Sequence, residues 1–314
     1  MLRTGGNEKR FGIEAKSIAA SLVCHIIWGF SFLASRTALN SASVFLVLSH
    51  RFLSAFLMMS VVAVFKPSVL HLKGKRVWLL AMLGLAEPVI YFIGEQYGLL
   101  HSNTIFSGVM IAMIPIFSTV LAAPFLHEKP SVGQLLFSLL SVSGVVGVGL
   151  MSSSAGALDW IGVLCLVISI LSAGAYAMLN RGLSGEFTPF ERTWVMLCFG
   201  AVAFTAIAAI ECRGDISAYV SPLSDPGYSL SVLFLSLFCS IVCYFLSCYA
   251  LTYLTIARKT VFSNLTTVVS VFAGAVILHE PFTWKGAVFC LLILIGIYGV
   301  QKTAPKKAKT GEEK

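Results

Sequence analysis

The residue in this chain best placed to do chemistry is Glu87, which stands in the middle of an apolar run and is followed by Pro88. Proline has no N–H, so the carbonyl of Gly84 loses its helical donor, and a free acceptor beside a carboxylate suits a cation or a proton. Glu95 follows eight residues later, and eight residues turn a helix by about 800°, so the two carboxylates point within roughly 80° of each other and can face one space. Arg51 sits in the neighbouring apolar run at a depth close to that of Glu95, where a helix-bracing or gating role suits it better than substrate contact. His25 can relay a proton near neutral pH. Trp28, Tyr91 and Tyr176 can turn aromatic faces to a cation, while Gln96 and Asn264 can orient polar groups. Each has a plainer reading beside this one: a buried Glu or His bonded to a neighbouring helix, and aromatic rings that only pack.

The elements that must position these groups follow from composition. Of 314 residues, 57% are hydrophobic and 11% charged, against roughly 45–50% and about 25% in a soluble domain. Mean hydropathy is +0.89. A soluble monomer is excluded. The apolar residues come in runs of about 20, the length that crosses roughly 30 Å of hydrocarbon as a helix, and nothing alternates as a membrane barrel would. Ten spans are expected, at 17–37, 44–64, 76–98, 104–124, 131–151, 159–180, 190–211, 228–251, 259–278 and 284–302. Residues 1–16 form a polar tail, and the first apolar run reads as a helix, not a removed signal peptide. At roughly 2.5–3.5 kcal/mol for a charge at the bilayer centre, the ionisable groups inside these runs are site candidates by default.

The net charge of +8 is topological and does not point to nucleic acid. With the N-terminus inside, 18 Lys and Arg fall in inner segments, including Arg181, Arg192, Arg258, Lys259 and the 303–314 tail, and three in outer ones, Arg36, Arg213 and Lys285. The positive-inside rule then puts both termini in the cytoplasm of a cell-membrane protein. Seven of the eight cysteines lie within spans and read as small hydrophobes. His127-Glu128 and His279-Glu280 lack the spacing of a zinc helix, and no phosphate-binding glycine loop precedes a lysine, so neither metal nor cofactor is expected.

Tyr97 to Val148 aligns without a gap on Tyr249 to Val300 at an offset of 152, with 14 of 52 positions identical, both His-Glu pairs and the glycine pairs Gly144/Gly147 and Gly296/Gly299 among them. Two repeats result, 17–151 and 159–302, each of five spans. Five is odd, so the second must enter from the opposite side. Inverted repeats are the architecture of secondary transporters, whose central site opens alternately to each face. The four glycines permit close helix contact, either within the chain or in a homodimer.

Trp28-Gly29 with Ser31-Phe32, Arg51-Phe52, Gly98-Leu99, Pro115, Leu126 to Glu128 and Leu278 to Pro281 stand in the order and spacing of the EamA-type members of the drug/metabolite transporter superfamily, which the chain resembles over nearly its whole length. The resemblance implies an all-α membrane protein with ten helices in two inverted repeats, a cavity lined by spans one, three, four, six, eight and nine, and alternating access. Thr267 stands where the repeat would place a second Pro115, and Glu87 and Glu95 replace residues that are usually small or neutral. The function expected is secondary transport of a small polar or amphipathic metabolite, such as an amino acid, an amine or a cationic drug-like compound, with a coupling proton and export favoured. A facilitative channel or uniporter is the alternative; an enzyme is not, because no nucleophile accompanies the membrane Glu and His.

Overall fold

In a computed structural model, residues 4–101, 110–126, 130–151, 159–277 and 284–304 are described. Among them every regular element is helical. Eight helices are long and apolar enough to cross a membrane: α1 (Gly12–Ala38), α2 (Val44–Phe65), α3 (Val77–Gly98), α6 (Trp160–Gly185), α7 (Pro189–Glu211), α8 (Pro226–Tyr253), α9 (Ile256–Ile277) and α10 (Trp284–Lys302). Two shorter apolar helices, α4 (Ile114–Leu126) and α5 (Val132–Val148), occupy the places of the other two expected spans. The start of the expected span 104–124 lies outside the described residues, as do His127-Glu128 and His279-Glu280.

Side-chain polarity runs from inside to outside in the reverse of a soluble protein. Val64, Phe65, Trp160 and Ile210 are each at least three-quarters exposed, whereas Ser49, Ser141, Ser169, Ser236 and Ser247 are fully buried. Lipid-facing apolar residues with hydroxyls turned inward are what a helix bundle in hydrocarbon requires, because contact with lipid costs leucine nothing and serine a hydrogen bond.

The helices pack in a regular exchange. α1 lies against α8 and α9, α6 against α3 and α4, α2 against α7, and α5 against α10. The α5–α10 contact shows how the sequence produces this: a methyl added at Gly144 would come within 2.7 Å of the Phe289 carbonyl oxygen, and one at Gly296 within 2.7 Å of the Phe137 carbonyl oxygen. Phe289 covers Gly147 and Phe137 covers Gly299, each phenylalanine 152 positions from the other. The four glycines are thus used within the chain.

Two helices are interrupted. α3 loses its regular hydrogen bonding over Leu85–Ile90, where Glu87 is extended at φ −142° and ψ 124°. α8 keeps helical angles but widens to π-type hydrogen bonding over Leu235–Val242. Backbone groups freed at such breaks must find partners inside the bundle. The Ala86 carbonyl accepts from Ser172 Oγ on α6 at 2.6 Å, and the Cys239 carbonyl accepts from Trp28 Nε1 on α1 at 2.9 Å. Cys24 and Cys243 each donate their thiol to the other's carbonyl at 3.4 Å, fastening α1 to α8 beside the π-type stretch.

The two ends of the bundle are closed differently. Where the described chain begins and ends, Arg258 binds both Glu14 at 2.5 Å and Gln301 at 2.8 Å. At that end Lys75 pairs with the buried carboxylate of Glu191 at 2.7 Å, and the Arg76 N–H and guanidinium hold the Glu186 carboxyl below the usual carboxylate range. Arg192, fully buried in the first turn of α7, donates to the Asn180 carbonyl at 2.7 Å, the Cys248 carbonyl at 3.1 Å and Thr252 Oγ1 at 2.6 Å. It therefore ties the end of α6 to the last turns of α8, whose final carbonyls at Leu251 and Thr252 accept from Arg181, cations that the helix dipole favours there. At the opposite end the ties are mainly hydroxyls: Ser41 to Asp225 at 2.7 Å, Ser43 to Glu211 at 2.6 Å, and Tyr228 to His50 at 2.6 Å.

Candidate functional site

The break in α3 positions the site. By leaving helical angles at Glu87, the backbone sets that carboxyl inside the bundle, where the Tyr244 hydroxyl of α8 acts on it. Pro88 is buried on the other side, where it packs against Gly200 of α7; a methyl at Gly200 would lie 2.7 Å from the proline ring. Two turns on, the Tyr91 hydroxyl donates to Glu95 at 2.9 Å.

Two cations answer the two carboxylates. Arg51 of α2 is 7% exposed, donates from Nε to Ser240 Oγ at 2.8 Å and lies over the rings of Phe52 and Phe92 at 5.2 and 5.5 Å. Lys259 of α9 is 5% exposed, and its ammonium lies over Trp28 at 5.8 Å and Tyr176 at 5.9 Å. Glu87 feels both cations and Glu95 as well, while Glu95 feels Arg51. Among the described residues no ion pair joins any two of these four groups. The depth that Arg51 and Glu95 share does not pair them: Arg51 donates to Ser240 and Glu95 accepts from Tyr91. In a low dielectric, four charges near one another but not in contact are balanced in sum and individually able to accept a further partner.

Aromatic rings close the cluster. Trp28 stands edge-on to Tyr244 at 5.8 Å and to His25 at 5.1 Å, and the Tyr176 hydroxyl is 3.1 Å from Ser247 Oγ on α8. His25 is buried with Nδ1 2.7 Å from the Ser21 carbonyl; because a carbonyl only accepts, Nδ1 carries the hydrogen and Nε2 is left as the acceptor. The structure therefore brings together Trp28, His25, Arg51, Glu87, Tyr91, Glu95 and Tyr176. Asn264 is elsewhere, donating to Ser141 Oγ at 3.1 Å and tying α9 to α5. Pro115 is buried in α4 with its carbonyl bonded to Thr119 at 2.6 Å. Gln96, on the following position of α3, is partly exposed and contributes no hydrogen bond to the cluster among the described residues.

Lys259 and Tyr244 belong to the cluster and were not singled out by sequence. Lys259 follows Arg258 and reads as a second loop cation, yet α9 already begins at Ile256, so the lysine falls one turn inside the helix. Tyr244 carries a signal only through the repeat, since it stands 152 positions after Phe92.

A family profile described as "EamA-like transporter family" matches residues 15–150 and again 160–301. The chain belongs to that family. This EamA-like transporter is a multi-pass membrane protein and not an enzyme. It is 34% identical to the "Uncharacterized transporter YcxC" of Bacillus subtilis (strain 168), over 93% of this chain and 94% of the other. It is 23% identical to an "Uncharacterized transporter" of Archaeoglobus fulgidus, over 86% and 93% of the two chains. A "Probable terminal-alkyne amino-acid exporter" of Streptantibioticus cattleyicolor is 23% identical over 90% of each chain. One solved crystal structure superposes with a TM-score of 0.73 over 92% of this chain and 98% of its own, at 15% identity, which speaks to the fold alone.

Proposed function

We propose that this EamA-like transporter is a secondary carrier that moves a small polar or amphipathic metabolite outward across the cytoplasmic membrane by alternating access, with ten helices in two inverted repeats, 17–151 and 159–302, and both termini in the cytoplasm. Three observations support the architecture. The family profile matches twice; the first helix of one half packs on the third and fourth of the other, in both directions; and the interruptions of α3 and α8 fall at corresponding positions of the 152-residue repeat. Such an exchange lets the two halves trade conformations around a fixed centre. The relative named as an amino-acid exporter supports an outward direction.

The observation that carries the function is Glu87, a carboxylate presented by a helix break to a Tyr hydroxyl and two buried cations. Broken helices with a charged group at the break are how carriers hold small solutes and coupling ions at mid-membrane. Glu87 takes the cationic group of the substrate or the coupling proton, and Glu87→Gln separates the two roles. In proteoliposomes the variant stays folded and loses concentrative uptake; exchange survives if the role is proton coupling, and binding itself is lost if the role is cation recognition. Wild-type flux, binding and pH dependence in Glu87→Gln would refute both. Flux that saturates and shows counterflow marks a carrier; its absence would favour the channel.

A further inference from the structure

Lys259 is a buried ammonium with two aromatic rings for company, and among the described residues it makes neither an ion pair nor a side-chain hydrogen bond. Removing such a charge from water is costly, and two ring faces return only part of that cost. Three other cations near helix ends have oxygen partners: Lys75 holds Glu191, Arg258 holds Glu14, and Arg192 donates to the Asn180 and Cys248 carbonyls and Thr252 Oγ1. Lys259 differs in that no carboxylate among the described residues pairs with it; its charge acts on Glu87, whose neighbour Ala86 is bonded to Ser172 on α6, one turn from the Tyr176 ring that faces the lysine.

We propose that Lys259 is the anchor for a substrate carboxylate, and that the substrate is a small zwitterion, an α-amino acid with an apolar side chain. The inference rests on the carrier reading above and specifies its ligand. A carboxylate entering between Lys259 and Glu87 meets the ammonium, while the substrate's own ammonium meets Glu87. The faces of Trp28, Tyr176 and Tyr244 then receive the side chain. The fit is by charge order: a buried cation and a buried anion that are not paired with each other match a carboxylate and an ammonium held apart by one α-carbon. A simple amine would satisfy Glu87 and leave Lys259 unpaired. A phosphate ester would bring a second negative charge toward Glu87 and Glu95, which repel it.

The test uses the full chain reconstituted in nanodiscs and ligands that differ only at the carboxylate. L-phenylalanine, L-leucine and L-methionine are compared with phenethylamine, isoamylamine and 3-(methylthio)propylamine by thermal shift and by tryptophan fluorescence. At least one amino acid is expected to raise apparent stability, with its decarboxylated amine binding about tenfold more weakly or worse. Lys259→Met removes that preference, and Lys259→Arg keeps part of it. Amines that bind as well as the acids in the wild-type protein overturn the proposal without any variant, and so does a panel in which no carboxylate compound binds. Because a purely structural lysine would also weaken binding when replaced, heat stability of the ligand-free protein is measured too: Lys259→Met is expected to match or exceed wild type, and a large loss would assign Lys259 to the scaffold. If Glu87→Gln abolishes flux while Lys259→Met binds amino acids like wild type, the anchor falls and the carrier stands.

Discussion

Glu191 braces the end of the bundle where the described chain begins and ends, and its substitution has a calculable cost. One carboxylate oxygen accepts from Lys75 Nζ at 2.7 Å and the His71 N–H at 2.9 Å, and the other from Lys75 Nζ at 2.9 Å and the Thr188 N–H at 2.8 Å. Glu191→Gln keeps one acceptor and replaces the other with a donor, so two of the four contacts become donor facing donor. Breaking a buried ion pair by removing one partner costs about 3–5 kcal/mol. The carboxylate is 1% exposed but Lys75 is 25% exposed, so the lysine can recover part of its hydration, and the expected loss is about 3 kcal/mol. Where that energy holds segment 66–76 against α7, the closed-to-open ratio at this end falls roughly 100-fold. Hydrogen-exchange mass spectrometry reads this directly, because the His71 amide is protected by Glu191 itself; its exchange should accelerate by a similar factor, while amides in α10 keep their rates. A double-mutant cycle with Lys75→Met should return a coupling well above about 0.5 kcal/mol. Additive losses, or unchanged exchange at 66–76, would show that the ion pair does not hold this end shut.

Other consequences can be checked independently. Gly144→Ala and Gly296→Ala each press a methyl onto a carbonyl oxygen that cannot yield, 2.7 Å away, and should each lower stability by about 1–3 kcal/mol in denaturant titrations; near-neutral effects would mean that α5 and α10 slide apart freely. Arg192→Leu leaves the Asn180 and Cys248 carbonyls and Thr252 Oγ1 without their shared guanidinium and should cost about 3–5 kcal/mol, with Arg192→Lys recovering little because a point charge cannot reach acceptors on two helices at once, a difference that thermal unfolding resolves. Reporter fusions after Ser154 and at the C-terminus should report opposite sides of the membrane; the same side for both would remove the ten-span arrangement.

Much of this molecule is legible in its sequence because hydrocarbon imposes a length: a run of about 20 apolar residues can do little but cross, and eight helices stand where such runs predict them. The residues of the cluster on α1, α2, α3 and α6 were legible for the same reason, since Arg51, Glu87 and Glu95 are conspicuous in apolar runs. What escaped lies where composition is ambiguous by a single turn. Arg258 and Lys259 are adjacent cations at a helix start, and only the fold assigns one to Glu14 and the other to Trp28 and Tyr176. The π-type stretch of α8 has no proline to announce it, and one of its carbonyls, that of Cys239, accepts from the Trp28 indole across the bundle. The glycine pairs were visible, but a small residue states only that something comes close, and whether the visitor is another copy or the other half is decided by Phe137 and Phe289, each placed to cover the other half's glycine. In all three cases the missing information is the identity of a partner across the bundle. Residues of one type at one spacing can be anchors for the scaffold or for a ligand, and the distinction rests on whether the fold has already supplied their partner. Among the described residues Arg192 donates to oxygens of Asn180, Thr188, Cys248 and Thr252 while Lys259 meets only ring faces, and that difference separates two buried cations that stand together in the inner segments of the sequence.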